Sequence, residues 1–356
     1  MERSTLKTFE RDRLRLARDL RGWSQSQLAA ACDMTPAAVS QFESGATRPA
    51  ASTRSRLAAE LRVPVDFFCH PVAATHEGFF RSLRRTSAAD RRRARALGHL
   101  ARDLACAVQQ RLNEPAVTLP AVTLPADRRV DLHASREAIE QAAGHLRAAW
   151  HLPPGPISDV LNLVETHGVV AVRLPMQSQD LDAFSLPFPD RPVIVLGADK
   201  GDRPRSRFDA AHELGHLVLH GEQIWGLKAV EDQAHWFAAA FLMPAQDIGA
   251  DLPSRIDWPR LFELKRTWHV SLAALLMRAK TLGIMPPDRY LSALKAASAR
   301  GWRRTEPVPL GPPEQPRMLN HAVAGLSRTG TTLKDLTRHA GLPFDDVCAL
   351  LESSRS

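Results

Sequence analysis

The spacing of apolar and polar positions divides the chain into regions with different periods. Residues 9–70 show short amphipathic helical repeats separated by tight turns. An Arg-rich helical stretch at 79–113 follows, with apolar positions at Leu97, Leu100, Leu104 and Val108. After a Pro-containing gap, longer helical patterns begin near residue 133. The pattern therefore predicts a small helical module, a connecting helix and a larger second unit.

The second unit combines helical periods with short apolar runs of strand length. A helical pattern at 133–150 and another at 157–166 precede three predicted strands, which are VVAVRL (169–174), AFSLPF (183–188) and PVIVLG (192–197). Predicted helices resume with a segment that ends near Gly221, and the pattern stays helical to about residue 300. Helices, a small sheet and more helices in this order predict a mostly helical α+β fold.

Proline-rich segments set the predicted domain limits. A tandem AVTLP repeat at 116–125 excludes a helix and predicts an extended linker. EPVPLGPPEQP at 306–316 separates a short helical tail. The predicted units are an N-terminal helical module at 1–72, an Arg-rich helical linker at 73–132, a larger domain at 133–300, and a Pro-rich segment with a helical tail at 301–356.

The run from Ser24 to Gly45 has the features of two short helices joined by a turn. Ser24 and Gln27 form a capping-box pattern, while Thr35 precedes Pro36 in the N-cap and first helical positions of the next helix. A helix-turn-helix places the start of its second helix in the major groove, where small and amide side chains can contact bases. The predicted DNA contacts are Gln25, Thr35, Pro36, Ala37, Ser40, Gln41 and Arg48, with Gln25 and Arg48 on phosphates.

Charge supports a nucleic-acid partner for the first third of the chain. Residues 1–130 hold 22 Lys and Arg against 13 Asp and Glu, whereas the remaining residues hold 25 against 26. The four cysteines have no paired spacing, which fits a reducing compartment without disulfides. The N-terminus lacks a secretory pattern, and no apolar run reaches membrane-spanning length. We therefore expect a cytoplasmic protein with no membrane partner.

The segment His212-Glu213-Leu214-Gly215-His216 carries the strongest chemical signal in the chain. Two histidines four residues apart lie on one face of a helix and can reach the same zinc ion. Glu213 would face a water molecule, and Glu231 at the start of the next predicted helix is a candidate third ligand. His220 lies about 12 Å from His212 along a helix axis, so these two cannot share one zinc ion.

Two resemblances follow from these motifs. Residues 9–70, through SQxxLA at 24–29 and TPAAVSQFE at 35–43, resemble the Xre/Cro-type helix-turn-helix family, whose modules bind palindromic sites as dimers. Residues 135–300 resemble the ImmA/IrrE family of gluzincin-type metallopeptidases, through RFDAAHELGHLVLH at 207–220 and EDQAHWFAAAFLMP at 231–244. The first resemblance implies a homodimer on a double-stranded DNA operator.

The second resemblance assigns roles to individual residues. It implies that zinc is the cofactor, that His212, His216 and Glu231 are its ligands, and that Glu213 is the general base. His235 departs from the family pattern, which usually has Asn or Asp there, so it could support a ligand or bind metal itself. The candidates for supporting a metal ligand or stabilising the oxyanion are His235, Arg207 and Tyr290. A peptide substrate would lie beside the predicted strand at 183–188.

Three functions remain open on the sequence. The first is a regulator with zinc-dependent endopeptidase activity, which cleaves a repressor, such as a Cro-type protein, or itself in response to a signal. The second is a transcription factor whose second domain senses a metal or ligand without catalysis. The third is a toxin–antitoxin component. Glu213 favours the first function, because a sensor needs ligands but no general base.

Overall fold

The computed structural model describes residues 8–75, 79–80, 87–112, 135–175, 183–198, 202–220 and 227–354. The predicted extended linker at 116–125 lies outside the described residues. Within them, helices dominate and the strands form a single small sheet. The mostly helical α+β fold class is confirmed.

The N-terminal module contains four helices and a short 3-10 turn at Val65–Cys69. The helices are α1 (Arg11–Leu20), α2 (Gln25–Ala31), α3 (Pro36–Ser44) and α4 (Ala51–Glu60). Their buried apolar side chains, including Leu14, Leu28 and Val39, form one core. Ala96 of the next helix, α5 (Ala88–Leu112), packs into the same core. The module therefore rests directly on α5.

The sheet has four strands in the order β1-β3-β4-β2. The strands are β1 (Phe79–Phe80), β2 (Val170–Leu174), β3 (Ala183–Leu186) and β4 (Val193–Gly197). β2 runs parallel to β4, while β3 is antiparallel to both β4 and β1. The three strands predicted from apolar runs are confirmed, and β2–β4 are buried along their whole length because helices cover both faces.

One face of the sheet packs on the helices of the larger core. These are α6 (Arg136–Ala149), α7 (Val160–Thr166), α8 (Arg203–Leu219), α9 (Lys228–Leu242), α10 (Ala245–Ile248), α11 (Trp258–Trp268), α12 (Leu272–Thr281) and α13 (Pro287–Ala299). Ala171, Ile194 and Leu196 contribute the sheet side of this core. The predicted helices around His212 and from Glu231 to Met243 correspond to α8 and α9.

The opposite face of the sheet packs on α5 and the C-terminal helices α14 (Met318–Arg328), α15 (Leu333–Ala340) and α16 (Phe344–Ser353). A Cβ atom at Gly98 of α5 would lie only 2.5 Å from Leu186 Cδ1, so glycine permits the close approach of helix and sheet. The helical part of the predicted linker is thus a layer of this core. The predicted domain limits stay a prediction.

Ion pairs connect the N-terminal module to these layers. Arg13 of α1, which is buried, donates to the half-buried Asp103 of α5 across 2.6 Å. Arg21 at the end of α1 donates to both carboxylate oxygens of Asp346 in α16, at 2.8 and 2.5 Å. The module therefore contacts both the long helix and the C-terminal tail.

Candidate metal centre and nucleic-acid interface

Helix α8 brings its two motif histidines together in the protein interior. His212 and His216 are each 1% exposed, and their Nε2 atoms are 3.1 Å apart. Their spacing of four residues places one imidazole above the other on the helix face that packs against α9. Both Nε2 atoms therefore point to one location between the two helices.

Helix α9 supplies a carboxylate at the same location. Glu231 Oε2 lies 3.3 Å from His212 Nε2, and Glu231 Oε1 lies 3.6 Å from His216 Nε2. Gly215 permits this approach, because a Cβ atom there would be 3.0 Å from Phe237 Cδ1 and 3.3 Å from the Ala234 backbone. A larger residue at that position would push α9, and Glu231 with it, away from α8.

The geometry and chemistry of these three residues fit a zinc ion. Ligand atoms bound to zinc at 2.0–2.1 Å in a tetrahedron are separated by about 3.4 Å, and the observed separations of 3.1, 3.3 and 3.6 Å bracket that value. Glu231 Oε2 is buried and has no hydrogen-bond partner among the described residues. A buried carboxylate oxygen without a partner is costly unless a cation binds it. The donor set therefore fits the predicted metal.

Glu213 is held by a residue of the neighbouring sheet. It is 1% exposed, and Ser185 of β3 donates a hydrogen bond from Oγ to Glu213 Oε2 across 2.7 Å. Ser185 is fully buried. The contact fixes the carboxylate next to His212, the first candidate ligand. Ser185 was not among the predicted site residues, since a single serine in an apolar strand belongs to no recognisable motif.

A third histidine, which the sequence analysis rejected as a ligand, lies behind the two motif histidines and contacts one of them. His220, at the C-cap of α8, has its Nδ1 atom 3.0 Å from His216 Nδ1 and its Nε2 atom 3.0 Å from Gln233 Oε1. Burial lowers the pKa of His220 to about 4, so the ring is neutral near pH 7. The exclusion of His220 as a ligand agrees with this placement. Its spacing of four residues from His216 was the available signal.

A cleft of about 430 Å³ opens beside the histidine–glutamate cluster. Residues of α6, α8, α9 and α12 line it, among them Arg136, His212, Glu231, His235, Trp236 and Lys280. His235 is half-buried and packs against Phe208 with ring centroids 4.8 Å apart. Arg136 lies over the Trp236 ring at 4.8 Å. The cleft offers a binding space in contact with two of the candidate ligands.

The other two candidates for an oxyanion role occupy different surroundings. Arg207 is 1% exposed, forms an ion pair with Glu314, and donates to the carbonyls of Ile157 and Ser158. Tyr290 lies in α13 under Lys280, whose Nζ is 4.8 Å from the ring centroid. Neither residue lines the cleft. The structure brings His235 to the cleft but gives no support for Arg207 or Tyr290 as an oxyanion donor.

The expected edge of the sheet is partly covered by the chain itself. β1 pairs antiparallel with β3, with Phe79 opposite Ser185 and Phe80 opposite Phe184. The predicted substrate strand beside residues 183–188 would therefore compete with β1 for this part of the edge.

In the N-terminal module, side-chain hydrogen bonds cap the N-terminal ends of α2 and α3. Ser24 and Gln27 form the predicted capping box, and Thr35 Oγ1 accepts from the Ala38 amide with Pro36 in the first turn of α3. Gly45 ends α3 with a φ of 79°, in the left-handed region that favours glycine. The predicted caps are confirmed by these contacts.

The predicted DNA contacts divide by exposure. Those on or beside the outward face of α3 are exposed, namely Thr35, Pro36, Ala37, Ser40, Gln41 and Arg48. Gln25 is half-buried, and its Nε2 atom donates to Glu43 Oε2 across 2.8 Å. Glu43 is 2% exposed and also binds Arg18 through two hydrogen bonds of 2.6 and 3.1 Å. Gln25 therefore links α2 to α3, in addition to its predicted contact with DNA.

Comparison with protein families identifies both units. Residues 14–68 match a helix-turn-helix family of the Xre-like type, and residues 164–280 match the IrrE N-terminal-like domain, a peptidase family. No curated protein matches the chain. The two matches place a helix-turn-helix domain of a DNA-binding type and a peptidase-type domain in one chain. It is an Xre-like helix-turn-helix module fused to an ImmA/IrrE-like domain.

Both family matches cover the residues that the geometry selects. His212, Glu213, His216 and Glu231 lie within 164–280, and the exposed face of α3 lies within 14–68. Helices α5, α6 and α14–α16 lie outside both matches. Among the described residues, no helix is long and apolar enough to cross a membrane.

Proposed function

We propose that this protein is a transcriptional regulator whose ImmA/IrrE-like domain is a zinc-dependent endopeptidase. In this proposal the helix-turn-helix module holds a homodimer on an operator in double-stranded DNA. The peptidase domain then cleaves a repressor, with a Cro-type protein as a candidate, or the chain itself when a signal arrives. The observation that carries the proposal is the buried Glu213, positioned by Ser185 beside three residues whose spacing fits zinc.

The roles of the residues follow from their positions. His212, His216 and Glu231 would hold the ion, which supplies Lewis acidity and lowers the pKa of a water molecule when it is bound. Glu213 accepts a proton from the attacking water and returns it to the leaving amine. Ser185 keeps the Glu213 carboxylate in one orientation during both transfers. The neighbouring cleft receives the side chains of the substrate.

The β3 edge gives the substrate a further point of attachment. A peptide that pairs with Ser185 and Phe184 takes the place of Phe79 and Phe80. Substrate binding in this manner therefore requires β1 to leave the sheet. Because β1 continues towards α5, which packs on the N-terminal module, displacement of β1 is a route by which the two domains influence each other.

The test compares the wild type with Glu213→Gln, both purified without chelator. Zinc content is measured, and each protein is incubated with candidate Cro-type repressors and, separately, alone with DNA, before mass spectrometry. We expect one zinc per chain in both proteins and cleavage only in the wild type. His212→Ala should lose the metal, and His235→Ala should keep it, because His235 lies outside the cluster.

The alternative functions predict different outcomes. Zinc in both proteins with cleavage in neither, across all substrates and with DNA present, would favour a metal-sensing transcription factor. Absence of metal from the wild type would contradict the metal centre itself. The variant Glu213→Gln keeps the size of the side chain, so loss of cleavage with normal zinc content isolates the proton transfer.

A further inference from the structure

Behind the candidate ligand His216, two buried polar residues form a continuous chain of hydrogen bonds. His220 Nδ1 lies 3.0 Å from His216 Nδ1, and His220 Nε2 lies 3.0 Å from Gln233 Oε1. Gln233 is 1% exposed on α9, and His220 ends α8. The chain therefore crosses from one helix of the metal centre to the other, on the side of the His216 ring remote from His212.

The hydrogen-bond chemistry of this chain selects one tautomer of His216. The carbonyl oxygen of Gln233 only accepts hydrogen bonds, so His220 carries its hydrogen on Nε2 and donates a hydrogen bond from there. A neutral imidazole with its hydrogen on Nε2 has an unprotonated Nδ1, which accepts a hydrogen bond from the Nδ1–H group of His216. His216 consequently has its lone pair on Nε2, the atom that lies 3.6 Å from Glu231.

We propose that His220 and Gln233 are positioning residues that fix the ring orientation and tautomer of His216 and thereby increase the affinity of the site for zinc. This proposal rests on the metal centre of the proposed function. Histidine ligands commonly donate their second nitrogen to a carboxylate, carbonyl or water, and loss of such a partner costs 10–100-fold in metal affinity. Here the partner is a second histidine, which is itself oriented by an amide.

The surroundings argue against a role in packing alone. Next to this chain, α8 and α9 meet through apolar groups, because a Cβ atom on Gly215 would lie 3.0 Å from Phe237 Cδ1 and 3.3 Å from the Ala234 backbone. A buried amide and a buried imidazole cost free energy in such an interface unless they are hydrogen-bonded to each other. An apolar pair would pack at lower cost, whereas the observed pair supplies an acceptor to His216.

The test compares His220→Leu with His220→Asn in the full-length protein. The two replacements are similar in size, but only Asn places an oxygen near the former Nδ1 position, where it can accept from His216. Zinc affinity is measured by competition with a chromophoric chelator. We expect about 10–100-fold weaker binding for His220→Leu and recovery of most of this loss in His220→Asn. Gln233→Met should also weaken zinc binding.

Two further measurements separate positioning from packing. In metal-free protein, thermal unfolding should show His220→Leu to be at least as stable as His220→Asn, because leucine packs better in an apolar interface. His220→Leu would then bind zinc more weakly than His220→Asn without being less stable. In zinc-loaded wild-type protein, nuclear magnetic resonance should detect an exchange-protected Nδ1–H proton of His216, which disappears in His220→Leu.

The outcomes discriminate between this proposal and the proposed function. Equal zinc affinity in wild type, Leu and Asn variants would overturn the positioning role but leave the peptidase proposal standing. If His220→Leu were both more stable and tighter in zinc binding than His220→Asn, the role of His220 would be packing. This outcome would also overturn the positioning role. A third outcome is that the wild type binds zinc tightly, His220→Leu binds it more weakly than His220→Asn, and no substrate is cleaved. This outcome would support the positioning role and contradict the peptidase.

Discussion

The candidate metal centre and the DNA-facing surface are both built on a pair of helices, yet they differ in burial. His212, Glu213 and His216 are each 1% exposed, whereas Ser40, Gln41 and the nearby Arg48 are exposed to solvent. In the metal centre, the functional groups are also part of the core. On the DNA-facing surface, the groups that would contact DNA are separate from the groups that hold the helices together.

This difference decides what a substitution reveals in each region. A change in a buried polar network alters both stability and function, because removal of one partner leaves the other partner buried without compensation. A change at an exposed position alters stability by less than about 0.5 kcal/mol, so its effect on binding can be measured alone. The two regions therefore need different controls.

The largest effect is expected from substitution of Glu43, which is an exception to the exposure of the DNA-facing surface. Glu43 lies on α3 with the predicted DNA contacts, but it is buried and bound to Arg18 and Gln25. Glu43→Ala removes two of the hydrogen bonds of the buried Arg18 guanidinium, which keeps only those to Asp19 and to the Trp23 carbonyl. We therefore expect a loss on the order of 3 kcal/mol in the free energy of unfolding of the module. Denaturant unfolding and DNA affinity measure the two consequences.

Glu60→Ala provides the matched control for Glu43. Glu60 is exposed at the end of α4 in the same module, so its removal should change stability by less than about 0.5 kcal/mol. Equal effects of the two substitutions would contradict the role of the buried ion pair. Normal zinc content in Glu43→Ala would show that the loss stays within the N-terminal module.

The sequence predicted those parts of both regions that depend on local spacing. The caps at Ser24 and Thr35, the paired histidines, and the three strands of continuous apolar residues all follow from patterns within about ten residues. Local patterns are informative because helix geometry fixes which side chains meet at four-residue spacing.

The parts that were not predicted depend on contacts between distant segments. The apolar positions of α5 indicate a buried side, but the sequence does not show that Leu100 and Leu104 pack on the sheet. Arg207 is buried because Glu314, 107 residues later, forms an ion pair with it. Nothing local to either residue encodes this partner. Ser185 and Gln233 belong to common residue types, so only the tertiary structure reveals their contacts.

The second-largest effect is expected from substitution of Ser185. This substitution tests whether a buried contact in the candidate metal centre acts on catalysis or on stability. Ser185→Ala removes the hydroxyl that donates to Glu213 but leaves the three candidate zinc ligands in place. We expect normal zinc content and a decrease of about tenfold or more in kcat, because a catalytic group that is less well oriented loses much of its effect. Peptide cleavage at saturating substrate measures the change.

Ser185→Thr sharpens this test, because threonine keeps the hydroxyl in a strand. Recovery of kcat in Ser185→Thr, relative to Ser185→Ala, would assign the effect to the hydrogen bond. Loss of zinc in Ser185→Ala would instead mean that the contact supports the whole metal centre, and the division between positioning and ligation in this region would be wrong.

The smallest expected effect is on Arg48, at the exposed extreme of the comparison. Arg48 follows α3 and has no assigned base, so we expect it to contact phosphate. Arg48→Ala should weaken binding by a similar factor on specific and nonspecific DNA, and the slope of log affinity against log salt should fall by about one.

Gln41→Ala on the outward face of α3 should instead reduce discrimination between sequences, by about 1–3 kcal/mol, with an unchanged salt slope. Titrations of both variants at several salt concentrations measure these two quantities. If Arg48→Ala altered sequence preference and left the salt slope unchanged, Arg48 would contact a base. Base recognition would then include a residue outside α3.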